Sequence, residues 1–265
     1  HARLVIAADG RHSPVRQAAG IGVSTRRYGQ KALAFAVTHP EPHENVSTEI
    51  HRTGGPFTLV PLPDFDGKPS SAVVWMDDGP LAQSRYEMDV PAFEGAMSER
   101  SCHLFGQLSL ASHRTIWPIT SQKAERLSAE RIALIAEAAH VVPPIGAQGL
   151  NMSLADTATL LELARKSPTT LGDRAMLDAY HKARYADISL RVQGIDLLNR
   201  ASQVSTPALR DARAAGLQAL YAIAPVRKTL MQMGLGVRYP RPAPGRDAPV
   251  YRRRQKACPG RTAPT

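Results

Sequence analysis

Hydrophobic and polar positions fall into three textures along the chain. Residues 3–8, RLVIAA, form a short apolar run without polar alternation. A strand buried on both faces, as in a parallel sheet, has that texture. DGRHSPVRQAAGIG follows. Ser13 suits a helix N-cap, Pro14 a first helical position and Gly20 a C-terminal stop, which predicts a tight turn and a short helix. From about 26 to 120 the pattern shortens towards period two. KALAFAVTH, VSTEIHRT, FTLVPLP, SAVVWMD and RTIWPIT read as strands bounded by Gly, Pro, Asn and Asp. EMDVPAFEGAMSERSCHLFGQL interrupts them with a helical period, so a mixed sheet layer with at least one helix is predicted.

The first texture returns at 131–135, RIALI. A helix is predicted from near Leu150 to about Lys166, with Leu154, Ala158, Leu161 and Ala164 near one face. A longer helical region covers 173–202, with Leu177, Tyr180, Leu190, Ile195 and Leu198 as its apolar members. Further helices are predicted at about 207–220 and 225–233. The third texture begins after Leu235. Residues 238–265 hold six prolines and one large aliphatic residue, Val250. Such a segment buries too little apolar surface to offset its ordering entropy, and disorder is expected. Three readings of it stay open: a disordered basic tail, a product of the wrong reading frame, or a tether to an anionic surface.

Composition changes this picture little. A chain of 265 residues, 43% hydrophobic and 21% charged, has the make-up of a soluble globular protein of one large or two small domains. No apolar run is long enough to predict a transmembrane segment. The two cysteines, Cys102 and Cys258, lack metal-ligand spacing. The net charge of +10 is concentrated at the C-terminus, where eight Lys/Arg face Asp247 alone; the tail carries +7 and the body +3. No nucleic-acid partner is expected from a body of that charge. The chain opens on His1, inside a strand already in progress, and is read as an N-terminally truncated fragment.

Two strand-to-helix turns are the candidate chemistry. Ligands gather at the carboxyl ends of strands in open α/β sheets, and a helix N-terminus offers unpaired N–H groups at its positive end. In the first turn Asp9 is placed to accept hydrogen bonds from sugar hydroxyls, Gly10 permits the turn and Arg16 can reach a phosphate. The bland alternative is a capped βα connection with a solvated arginine. In the second, IALIAEAAHVVPPIGAQGLNMSLADTATL, Glu137 can hold a ribityl or ribose hydroxyl. Pro143 and Pro144 stiffen the approach, and Gly146 and Gly149 open the backbone near a helix start. The alternative is a Pro/Gly loop over a core helix, with His140 a satisfied, partly buried histidine. No second ligand stands at metal spacing from His140, and no metal site is expected.

Together the turns resemble a known family. LVIAADGRHSPVR is similar to the Asp-Gly motif of the FAD-dependent aromatic hydroxylases. The second stretch is similar to their Gly-Asp-Ala-Ala-His, Pro, Gly-Gln-Gly-Leu-Asn motif and the Asp-bearing helix after it. AAGIGVSTRRYGQKALAFAV, FTLVPLP, SSAVVW and LDAYHKARYADISLRVQGIDLLNR resemble the ubiquinone-biosynthesis branch of these para-hydroxybenzoate hydroxylase-like monooxygenases. The resemblance covers roughly residues 1–235. It implies an α/β fold: a partial FAD-binding Rossmann-like domain (1–25 and 121–166), an inserted mixed β-sheet substrate domain (26–120), C-terminal helices (167–237) and the basic tail (238–265). It also implies that NAD(P)H reduces the flavin and that O2 then hydroxylates an activated aromatic ring.

By position, Asp9, Gly10 and Arg16 would serve FAD and NAD(P)H, and Glu137 the ribityl chain. Pro144, Gly146, Gln148, Gly149, Leu150 and Asn151 would line the flavin ring. No catalytic residue is assigned, since the cofactor carries the hard chemistry. The implied substrate is a small aromatic molecule, such as a polyprenylated ubiquinone precursor, or another aromatic compound. The implied setting is cytoplasmic or peripheral at a membrane surface, within a ubiquinone-biosynthesis enzyme complex. Two departures stand out. The family's Gly-Asp reads Ala136-Glu137 here, and no GxGxxG motif occurs. The competing readings are therefore a non-catalytic fragment that holds FAD poorly, or a module that binds through its tail.

Overall fold

The structure is a computed structural model, and it describes residues 1–203 apart from Thr53, Gly146 and Ala147. The helices predicted at 207–220 and 225–233, the tail 238–265 and the candidate Gly146 lie outside the described residues.

The chain begins with strand β1 (Val5–Ala7) and the short helix α1 (Pro14–Ala18). Ser13 caps α1 as its residue type predicts, its Oγ accepting from the Arg16 N–H at 3.0 Å. A long strand, β2 (Val23–Thr38), follows, then β3 (Thr48–Arg52), β4 (Gly55–Phe65) and β5 (Lys68–Asp78). Helices α2 (Gly79–Glu87) and α3 (Val90–Arg100) precede β6 (Ser109–Leu110) and β7 (Thr115–Ala124). The chain returns through β8 (Ser128–Ala129) and β9 (Ile132–Leu134). A single turn, α4 (Ala136–Ala139), leads into β10 (His140–Val141). Helices α5 (Gln148–Lys166) and α6 (Arg174–Gln203) complete the described part.

Among the described residues the strands form two sheets. The small one has the order β1-β9-β8, with β1 and β9 parallel. The large one runs β10-β7-β2-β5-β4-β3, with β6 on β2, and its pairings are antiparallel. The 26–120 texture is thus one sheet, and β7 continues past 120 to reach the second turn through β10. The β2–β7 register shifts between Arg27 and Lys31, where Gly29 has a positive φ of 72°. Such a bulge bends a strand and re-aims its side chains.

Each sheet has its own core. One face of the large sheet packs Leu33, Phe35, Phe57, Leu59, Val73 and Trp75 under α2 and α3, against Ala82, Phe93 and Met97. Phe35 meets Phe93 edge to face with ring centroids 5.0 Å apart, a preferred aromatic geometry. The small sheet buries Ala7, Ala133 and Leu134 against Met152 and Leu160 of α5 and Leu177, Tyr180 and Ile188 of α6. A third cluster sets Ile145, from the second turn, on Ala32, Met76 and Ile119 of the large sheet.

The helix faces correct the sequence expectation. On α5 the buried residues are Met152, Asp156 and Leu160, while Leu154 and Leu161 are exposed. On α6, Leu177, Tyr180 and Ile195 are buried as expected, but Ile188 takes the place expected of Leu190 and Leu198, which are exposed. Apolar count misplaced these faces because an acid, Asp156, lies on the inward stripe of α5.

Among the described residues no helix is long and apolar enough to cross a membrane. Helix α6 is tied to the small sheet by the Tyr180 hydroxyl, which donates to the Leu134 carbonyl at 2.7 Å in the interior. Tyr180→Phe strands that carbonyl and is expected to cost about 1–2 kcal/mol in urea unfolding; an unchanged midpoint would show that the bond contributes nothing.

Candidate functional site

The two turns meet because their strands are neighbours. Ala7 of β1 sits opposite Leu134 of β9, and the Ile135 N–H donates to the Ala7 carbonyl at 3.0 Å. Asp9 and Glu137 therefore emerge from the same carboxyl edge, two and three residues beyond that pair. Arg11 bridges the turns: its Nε lies 3.4 Å from Glu137 Oε2.

In the first turn Asp9 is exposed, and its Oδ2 accepts from the Val15 N–H at 3.2 Å. Its carboxyl lies below its ordinary pKa. Desolvation pushes it up, but hydrogen bonds from Ser13 and the Val15 backbone and the charge of Arg16 outweigh that. Asp9 is thus an ionised acceptor at neutral pH. Gly10 has φ +89°, and a Cβ there would meet nothing within 4 Å, so the glycine is required by conformation and open space lies over it. Arg16 is turned inward at 4% exposure. Its Nη1 donates to the Ala138 carbonyl and its Nη2 to the Arg11 carbonyl, both at 2.9 Å. The structure thus gives Arg16 a bond across the two turns instead of a solvated position.

In the second turn Ala136 has φ +54°, the left-handed region that glycine adopts freely and alanine does not. The Gly of the related motif has a physical reason here, and its replacement by Ala stores strain. The next residue, Glu137, is 53% exposed at its side chain and faces Arg11. His140 is buried, its Nε2 2.7 Å from Asp156 Oδ2, so it is a satisfied interior histidine. Pro144 is half-buried; Gln148, Gly149, Leu150 and Asn151 form the first turn of α5. Leu150 is 69% exposed, and Gln148 Oε1 accepts from Arg191 at 2.9 Å. The first N–H groups of a 19-residue helix have no intrahelical partner and carry the positive end of its dipole.

The Asp of the helix in the second motif is Asp156, and the motif gave it no role; Arg184, Asp187 and Arg191 on α6 stand outside both motifs. Asp156 binds His140 and the Arg184 Nε, the latter at 2.9 Å. Arg184 also holds Asp187, which holds Arg191. An acid four residues after Met152 and four before Leu160, on one helical face, was the available signal. Arg11, inside the first motif, carried none. A cavity of about 780 Å³ lies at the other end of β9, lined by Gly22, Glu125, Arg126, Arg131, Asp173 and Arg174 among others. None of the described candidate residues lines it.

The donor set fits FAD. Two carboxylates on one sheet edge can accept from a polyhydroxylated chain, the open space over Gly10 admits close approach, and a helix start can meet an electron-rich ring edge. Residues 1–193 match the FAD binding domain family. The chain belongs to that family, whose cofactor is FAD. Ubiquinone hydroxylase UbiL of Rhodospirillum rubrum is 32% identical over 248 residues, covering 92% of this chain and 57% of that protein. The 3-demethoxyubiquinol 3-hydroxylase of Escherichia coli is 27% identical, covering 89% and 60%. The chain thus spans little more than half the length of these relatives. Among solved structures, p-nitrophenol 4-monooxygenase PnpA of Pseudomonas putida shares the fold, with a TM-score of 0.69 at 19% identity over 89% of this chain and 60% of that one.

Two predictions follow from the FAD-domain turns. A left-handed alanine costs about 1–2 kcal/mol, and glycine's extra unfolded-state freedom returns about 0.5–1. Ala136→Gly is therefore expected to stabilise by roughly 0.5–1 kcal/mol in urea melts; destabilisation would show that the alanine is unstrained. Asp187 lies below the ordinary carboxylate range: partial burial raises its pKa, but hydrogen bonds from Arg184 and Arg191 outweigh that. A depressed folded pKa stabilises above the unfolded value and ceases to do so as pH falls through the folded one. The stability gap between wild type and Asp187→Asn should be full at neutral pH and close below about pH 4; a gap constant down to about pH 3 would refute the assignment.

Proposed function

We propose that the chain is part of an FAD-dependent monooxygenase that hydroxylates the aromatic ring of a ubiquinone precursor, with NAD(P)H and O2 as co-substrates. The observation that carries the reading is the meeting of the two turns, with Asp9 and Glu137 on one sheet edge joined through Arg11. The names of the relatives support the substrate class. When bound, FAD supplies the redox chemistry, taking electrons from NAD(P)H and activating O2.

This chain's residues would do the holding. Asp9 and Glu137 accept hydroxyl hydrogen bonds from the cofactor's sugar chain. Gly10 keeps the backbone clear for close approach. Pro144, Gln148, Gly149, Leu150 and Asn151 would border the ring, with the α5 N–H groups at the edge that becomes electron-rich on reduction. Arg16 acts from beneath, fixing the turns to each other instead of meeting the cofactor's phosphates. The sheet over 26–120 would carry the aromatic substrate; it joins the second turn through a buried cluster of Ile145, Ala32, Met76 and Ile119, with Trp117 partly buried against it. A lipid-tailed substrate would bring the protein to a membrane surface and to other enzymes of the same pathway.

The test is direct. The chain is titrated with FAD and the flavin fluorescence followed, then supplied with NADH or NADPH, O2 and a polyprenylated phenol. Quenching and a product heavier by one oxygen atom are expected, and absence of both would overturn the reading for this chain. Glu137→Ala removes one charged acceptor and is expected to weaken FAD binding about tenfold. Unchanged affinity would remove Glu137 from the site.

A further inference from the structure

We propose, on the flavin reading above, that Asp156 is the positioning residue for Glu137 and acts by holding Ala136 in its left-handed conformation. Asp156 lies on α5 and has no exposure to solvent. Its Oδ2 accepts from the Ala136 N–H at 3.2 Å and meets His140 Nε2 at 2.7 Å. Those are the residue immediately before Glu137 and the residue that ends the α4 turn. Its other oxygen is occupied by Arg184 Nε at 2.9 Å. From the opposite side Arg16 holds the Ala138 carbonyl. The turn from Ala136 to His140 is therefore pinned at its first, third and fifth residues. Glu137 is left projecting from it beside Arg11.

The strained residue explains why the pin is needed. Glycine would take φ +54° without help, whereas alanine pays a steric cost there. The Ala136 N–H bond to a buried carboxylate offsets that cost in the geometry that aims Glu137 outward. Arg184 fixes the carboxylate in turn. Through Asp187 and Arg191 it also reaches the Gln148 side chain at the α5 start. One chain of ion pairs thus supports both shoulders of the proposed cofactor turn.

The pin and the strain make a coupled pair, and this separates positioning from simple core stability. Asp156→Asn puts an amide NH2 where one acceptor oxygen stood. It is expected to speed amide exchange at Ala136–His140 and weaken FAD binding, each about tenfold, with exchange in β2 and β5 unchanged. Adding Ala136→Gly to that variant should restore at least half of each loss on a logarithmic scale, because glycine does not need the pin. Unchanged exchange at Ala136–His140 in Asp156→Asn, or no rescue by glycine, would overturn the proposal. If wild type shows no FAD affinity, the flavin reading fails, while the exchange data still decide whether Asp156 sets the turn. Should Asp156→Asn not fold, Arg184→Lys keeps the carboxylate and removes the fork that anchors it. The same local rise in exchange and the same rescue are then expected, and their absence counts against the pin.

Discussion

A carboxylate with no access to water must find a charge partner and donors for both oxygens, or it destabilises the fold. Asp156 meets that demand with Arg184, His140 and the Ala136 N–H. Each partner belongs to a different element, so satisfying one ion brings α4, α5, α6 and the start of β10 together. The neighbouring interior has the same character. Tyr180 has its phenol pushed far up, by burial first and by the Asp156 charge second, and it donates to the β9 backbone. The apolar core around Met152 and Leu160 supplies bulk stability, while the polar centre decides which backbone geometry that core surrounds.

The two sheets divide the work. The small one sets two carboxyl-bearing turns side by side, because parallel strands send both chains out of the same edge. The large one presents an apolar face to the second turn, and Ile145 makes the join. Its other face is closed by α2 and α3, with Arg85 stacked over Trp75 at 4.4 Å.

Much of this was legible in the sequence. The capped helix after Asp9, the strands of the large sheet and the long C-terminal helix follow from local pattern, and the pairing of the two motifs from their resemblance to a known family. What was hidden depends on side chains far apart in sequence. The inward turn of Arg16 is fixed by the Ala138 carbonyl, 122 residues away. Asp156 belongs to the second motif, but its burial and its partners do not show in the sequence, because periodicity counts apolar residues and is blind to a buried ion with partners elsewhere. Helix α2 was missed because its sequence, GPLAQSRYE, has almost no apolar stripe. The reason for glycine at position 136 in related motifs became visible only with the backbone angle.

The bulge in β2 has a consequence of another kind. A strand alternates its side chains strictly, so a one-residue slip normally turns a whole face over. Between Arg27 and Lys31 the partner strand advances from Thr120 only to Pro118, and the extra length of β2 is taken up locally. Two extra residues, an even number, stand on β2 there, so the register change by itself does not exchange the faces of Val23–Arg27 and Lys31–Thr38. The bulge at Tyr28–Gly29 separates the register of Val23–Arg27 on β7 from that of Gln30–Thr38 on β5. The two ends of one continuous strand are thus free to diverge in sequence separately, each answering to its own neighbour.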